Sequence, residues 1–181
     1  MRTLFAGVLL WAANAGAQEP APTPESVELG IHPGIALALR DSMGESHVGP
    51  GVRVHLLKLM GPYFSLGAEG ALYANAGSST TDNSSHLNSS MGGTLAQFGA
   101  VARLGGNIRG VRPALVAGVG LNAARDSTSL GFSMGMELEG RPVEWLPLCF
   151  DVRAHIAVAD DKDRYEKPMY ITLGLGWRHR W

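Results

Sequence analysis

The last thirteen residues of the chain, Met169 to Trp181, read MYITLGLGWRHRW and alternate without a break. Met169, Ile171, Leu173, Leu175, Trp177, His179 and Trp181 share one parity; Tyr170, Thr172, Gly174, Gly176, Arg178 and Arg180 share the other. A repeat of two puts successive side chains on opposite faces of an extended chain, so this segment reads as a β-strand with one apolar face. Residues 148–158 repeat the pattern, with Leu148, Phe150, Val152, Ala154, Ile156 and Val158 against Cys149, Asp151, Arg153, His155 and Ala157. In 130–140, Leu130, Phe132, Met134, Met136 and Leu138 oppose Gly131, Ser133, Gly135, Glu137 and Glu139.

The same rule predicts strands over 112–122 (broken by Val116), 94–104 (broken by Leu95 and Val101), 63–74 and 48–58. The first strand, 28–40, is the least regular. It holds Leu29, Ile31, Ile35, Leu37 and Leu39 opposite Gly30, His32, Gly34, Ala36 and Arg40, but Pro33 cannot donate to a ladder and predicts a bulge or irregularity. Eight strands result. Met60–Pro62, Gly105–Gly110 and Pro142–Pro147 are short connections rich in Gly or Pro; Asp41–His47, Asn75–Gly93, Ala124–Ser129 and Ala159–Pro168 read as longer polar loops. An even number of strands with alternating short turns and longer loops is the pattern of an antiparallel up-and-down transmembrane barrel. A strand of ~11 residues tilted by ~40° covers on the order of 28 Å, close to the ~25 Å apolar band of such barrels.

Alternation alone leaves a soluble lipocalin-like barrel open, with the apolar face turned inward. Glycine argues for the inverse. The chain has 24 glycines in 181 residues, about twice the usual ~7 %, and Gly30, Gly34, Gly51, Gly67, Gly99, Gly118, Gly120, Gly131, Gly135, Gly174 and Gly176 all fall on the polar parity. Glycine weakens an exposed strand surface but suits the cramped interior of an eight-stranded barrel. Aromatic residues cluster near strand ends, with Phe64, Phe150, Trp145, Trp177 and Trp181 toward the short turns and Phe132 and Tyr170 toward the other end. Such girdles suit headgroup interfaces.

The N-terminus predicts export. Arg2 precedes an apolar run, Leu4–Ala13, and Ala15-Gly16-Ala17 fits a small-x-small cleavage site before Gln18. Residues 1–17 are thus expected to be a signal peptide, 18–27 a Pro-rich periplasmic lead, and 28–181 the barrel. Apolar residues at 45 % and charged residues at 17 % exclude a disordered chain and a helical multi-span protein. A net charge of −1 gives no footprint for nucleic acid. The single cysteine, Cys149, excludes an intramolecular disulfide framework and reads as a small lumen filler.

The leader, the eight alternating segments and the terminal run Leu175-Gly-Trp177-Arg-His-Arg-Trp181 resemble the small outer-membrane β-barrel family that includes the OmpA transmembrane domain and OmpX. The resemblance rests on pattern over the whole mature chain, since that family has no tight motif. It implies a bacterial outer-membrane location, contact with membrane lipid and lipopolysaccharide, and a C-terminal aromatic read by the barrel-assembly machinery. Trp181 stands where the family usually has Phe. The chain stops at Trp181, without the peptidoglycan-binding domain of full-length OmpA, so cell-wall tethering has no support.

Inside such a barrel, charges must be paired. Counting heights from the short-turn end puts Arg53 and Glu69 level on neighbouring strands, which predicts an ion pair. Glu137, Glu139, Asp151, Arg153 and Arg178 form a second cluster over three strands, and Arg103 adds to the network. A salt-bridged plug is the expected role. His32, His55 and His155 lie on strands one, two and seven, too dispersed for a shared metal cage, and no cofactor is indicated. The expected function is therefore non-enzymatic: a rigid closed barrel displaying loops outward, with 75–93 as a candidate recognition loop for an extracellular ligand. The alternative is a lipid A deacylase or acyltransferase using His86 with Ser84, Ser85, Ser89 and Ser90, or His155 with Asp160 and Asp161.

Overall fold

The computed structural model describes residues 26–38, 47–77, 93–108, 110–124, 127–143, 146–158 and 169–181. These contain eight strands: β1 (Val27–Ala38), β2 (His47–Leu59), β3 (Phe64–Gly77), β4 (Gly93–Gly105), β5 (Arg112–Ala124), β6 (Ser127–Val143), β7 (Leu146–Ala157) and β8 (Met169–Arg180). Each pairs antiparallel with its neighbour in sequence, and β1 pairs with β8, so the sheet closes on itself. The seam is complete at its lower end, where Val27 and Trp181 exchange N–H···O bonds of 3.0 and 3.1 Å. Closure matters because a strand edge left open in hydrocarbon has no water to bond its amides and carbonyls. The expected signal peptide 1–17 and residues 18–25 of the lead lie outside the described residues; β1 begins at Val27, one residue before the predicted start.

The wall is inverted relative to a soluble barrel. Every strand turns large apolar side chains outward, with Phe98 at 68 % and Met134 at 73 % exposure as the most open. Arg53, Glu69, Glu137, Glu139, Asp151, Arg153 and Arg178 are all buried. All five carboxylates among the described residues (Glu28, Glu69, Glu137, Glu139 and Asp151) lie inside. Strands of 12–17 residues at ~3.3 Å per residue and ~40° tilt are long enough for an apolar band of ~25 Å.

The residues that broke the sequence pattern do not break the parity of the wall. Leu57, Val101 and Val116 point inward and form one buried apolar cluster; Leu95 joins Ala36, Ala71, Tyr73 and Tyr170 in another. Glycine makes room for the rest. A Cβ on Gly174 would lie 2.5 Å from Asp151 Oδ2, and one on Gly176 would lie 2.5 Å from Cγ of His32. Gly99 and Gly120 face each other across β4 and β5, where a Cβ on either would fall 2.6 Å from the other's Cα.

Two local expectations are corrected and a third is met in part. Pro33 brings an irregularity but no bulge: the ladder to β8 skips His32 and Pro33 and resumes in the same register, while β1 keeps one register against β2 from Val27 to Ala38. The missing N–H is therefore absorbed at the β8 side without a shift. Ala124–Ser129 is not a long loop, because β5 and β6 pair up to Ala124↔Ser127 and leave a two-residue connection. Likewise β6 continues to Val143 and β7 resumes at Leu146, so the predicted turn over 142–147 shrinks to two residues, with a register shift between Gly140 and Val143.

Candidate functional site: the charged lumen

The interior holds two networks of ion pairs, built from residues of all eight strands. The hub of the larger one is Glu28, the first inward-facing residue of β1. Arg103 grips it in a two-pronged contact, Nη1 at 2.5 Å from Oε1 and Nη2 at 3.0 Å from Oε2, while donating Nε to Ser65 Oγ at 3.1 Å. Arg180 Nε adds a 2.6 Å bond to Glu28, and His55 Nε2 sits 3.2 Å from it. Forked guanidinium–carboxylate pairs of this kind are among the stronger and more geometrically specific polar contacts.

From that hub the chain of charges climbs. Arg180 Nη1 donates to Glu139 at 2.9 Å, Arg178 bridges Glu139 (3.3 Å) and Glu137, and Arg153 bridges Glu137 (2.7 Å) and Glu69. Arg112 approaches Glu139 at 3.7 Å. A second, separate network joins Arg53 to Asp151, with His32 Nδ1 at 2.8 Å from the same carboxylate. Above it Arg53 reaches Thr172 Oγ1 at 3.5 Å, and His155 sits between Thr172 (3.1 Å) and Gln97 (3.2 Å). The Tyr170 ring stacks on His155 at 4.4 Å, and its hydroxyl donates to Asn122 Oδ1 at 2.8 Å. Burial of unpaired charge would cost several kcal/mol per ion, so the pairing is what allows so polar an interior.

The eight residues named from sequence as a lumen charge network all lie inside; the second cluster forms in the main, with Arg153 on Glu137 and Arg178 on Glu137 and Glu139, while Asp151 pairs elsewhere and the expected Arg53–Glu69 pair does not form. Arg53 and Glu69 are not given to each other: Arg53 pairs with Asp151 on β7 and Glu69 with Arg153. Side chains in so narrow a barrel meet across the lumen as readily as along the wall, and a count of heights on adjacent strands does not capture that. Glu28, Arg180 and the histidines complete these networks and were missed as their members. The signal was present, since Glu28 shares the parity of Gly30 and His32, yet it fell at the boundary drawn for the lead. Cys149 is buried at the lower end, its thiol 3.7 Å from the Phe150 carbonyl.

Of the predicted girdle, Phe64, Phe150, Trp177, Trp181 and Phe132 face outward. On the outer side of β8 and just past its end, Trp177 stacks on His179 with ring centroids 5.7 Å apart, and His179 meets Trp181 in a tilted contact at 5.4 Å. Tyr170 is the correction. It is buried, because it shares the parity of Thr172 and Gly174 and its hydroxyl finds Asn122 inside. Trp145 lies outside the described residues, as do the loop 78–92 with His86 and the acids Asp160 and Asp161. Among the described residues no group of three or more His, Cys, Asp or Glu is arranged to hold a metal ion. His32 and His55 come within 5.0 Å of each other, while His155 sits apart beneath Tyr170.

No protein-family model matches the chain, and no curated protein matches it in sequence. Solved structures do resemble it. Neisserial surface protein A is 18 % identical, with a TM-score of 0.63 over 88 % of this chain and 98 % of that one. The outer membrane protein AlkL, determined in lipid bilayers, is 11 % identical, with a TM-score of 0.51 over 91 % of this chain and 94 % of that one. The likeness is one of fold: the chain is an eight-stranded antiparallel barrel of the transmembrane kind.

Proposed function

We propose that this protein is a non-enzymatic barrel of the bacterial outer membrane, a rigid plugged cylinder that holds its long loops at the cell surface. The observation that carries the reading is the inverted wall, with aliphatic and aromatic side chains outside and the paired charges within. Water would not tolerate so much contiguous apolar surface on a monomer, whereas hydrocarbon favours it. The short turns then face the periplasm, and the connections 39–46, 78–92 and 158–168 face outward. The longest of these is the place for a ligand, since loops on a rigid scaffold are where recognition evolves. Trp181 serves as the aromatic terminus for the assembly machinery, and the outer girdle contacts lipid and lipopolysaccharide.

Eight strands enclose a space that side chains fill, so the barrel conducts no steady ion current. Purified protein refolded into vesicles should migrate faster unboiled than boiled on a gel and be silent in a planar bilayer. Steady conductance steps of porin size would sink the plug. Deletion of 78–92 should leave folding intact while abolishing binding to whichever host or envelope ligand the intact cells retain. A lipid A acylation pattern that changes with expression of the protein would instead favour the deacylase or acyltransferase reading.

A further inference from the structure

The outer wall is apolar over most of its surface, and an exception lies at the short-turn end of β8, β1 and β2. On the outward parity of these three strands the ionisable side chains are Lys58 and His179, both exposed. We propose that this corner binds the headgroup of one net-anionic phospholipid in the leaflet on the short-turn side, with Lys58 as its counter-ion. The inference rests on the membrane reading above and adds to it a lipid class and a place on the wall.

The register assembles the corner. Lys58 pairs with Val27, which exchanges main-chain bonds with Trp181, and on the next outward rung Leu29 stands between Leu56 and His179. On its other flank Lys58 pairs with Leu66 of β3, two residues from the exposed ring of Phe64. The cation is thus set between the His179–Trp181 contact and Phe64. Aromatic rings of this kind sit at headgroup level. A lysine there lays its stem on apolar surface and sends its ammonium into the polar layer. Strands spaced ~4.8 Å apart put Lys58 and Trp181 roughly 10 Å from each other along the rung. One headgroup fills that gap, with the ammonium on one side and the indole and imidazole N–H donors on the other.

Charge selects the occupant. All five carboxylates among the described residues lie in the lumen, so none of them shares the outer surface with Lys58. Lys58 has no ion-pair or hydrogen-bond partner among the described residues. Glu19, Glu25 and Glu144, which the sequence places near this end, lie outside them; a lysine serving one of those acids would act alike in every lipid. A phosphodiester whose own headgroup carries an ammonium is already neutralised, whereas a glycerol-type headgroup leaves its negative charge to an outside cation. A basic side chain beside such an anionic surface gains a factor of about five in affinity.

The test uses the full chain refolded into vesicles of phosphatidylcholine, alone or mixed with phosphatidylglycerol, and follows urea unfolding. Phosphatidylglycerol should stabilise the parent. Lys58→Gln should lower the folding constant about fivefold in the mixed vesicles and less than about twofold in phosphatidylcholine alone. Lys58→Arg should keep the gain, as should Lys167→Gln in the connection at the opposite end. Mass spectrometry of the intact protein, released from micelles with equal phosphatidylglycerol and phosphatidylethanolamine, gives a readout independent of stability. The parent should retain one phosphatidylglycerol in preference, and Lys58→Gln should retain neither lipid in preference. Equal weakening by Lys58→Gln in both vesicles would assign the lysine to an acid of the chain, its terminal carboxylate included, and overturn the proposal. Equal lipid retention by parent and variant would do the same. Folding of the parent in both vesicles tests the membrane reading by itself, so a missing lipid preference leaves that reading standing.

Discussion

Arg53 on β2 reaches through the lumen to Asp151 on β7, a carboxylate 98 residues away that His32 also contacts at 2.8 Å. The pair ties opposite walls of the barrel together, where a bond between adjacent strands would only repeat what the backbone ladder already does. A double-mutant cycle measures this. With Arg53→Met and Asp151→Asn the coupling free energy should be about 1–3 kcal/mol, read from urea unfolding in lipid vesicles. The cycle of Arg53→Met with Glu69→Gln should give a smaller value, and a larger one would restore the neighbour-strand pairing.

Glu28 should be the most sensitive acid in the barrel. Glu28→Gln leaves Arg103 and Arg180 facing an uncharged amide at the seam, and loss of one partner from a buried pair costs on the order of 3 kcal/mol. The unfolding midpoint should drop accordingly, and the unboiled band on a gel should convert to the unfolded position at lower temperature.

Gly174 tests the packing of the web. The missing methylene there is the space occupied by Asp151, whose Oδ2 lies 2.5 Å from where a Cβ would stand. Gly174→Ala should therefore destabilise by about 1–3 kcal/mol, the range for overpacking a filled interior. Gly61→Ala, where nothing lies within 4 Å of the added carbon, is the matched control and should fold as well as the parent.

Met134 is exposed on the outer face of β6 and reads out the solvent of the wall. Met134→Arg should cost about 2–4 kcal/mol in a bilayer if the position is near the midplane, measured as the equilibrium between vesicle-bound folded and urea-unfolded chain. Improved folding in plain buffer would mean that water, not lipid, surrounds the barrel.

Strand number and facing were legible because the wall has one simple rule, and even its apparent violations obeyed it. Leu95, Val101 and Val116 looked like breaks in alternation but are inward residues that happen to be apolar. Strand length was less legible. Ser127, Thr128 and Ser129 resemble loop by composition, yet they pair with Ala124, Ala123 and Asn122. Tyr170 was misassigned for a related reason: its residue type suggested an interface, while its parity dictated the lumen. The partner choices of Arg53 and Glu69 could not be read at all. They depend on which side chains meet across a narrow interior, and that is set by tilt and register of the whole cylinder.

The seam has a consequence for how the protein comes into being. Glu28 and Arg180, register partners where the first strand meets the last, are 152 residues apart in the chain. The opening ribbon has no permanent neighbour on one flank until the final one arrives. A chain released early would carry two raw margins into a medium that offers them nothing to bond with. The cylinder can therefore close only once its last strand is in place.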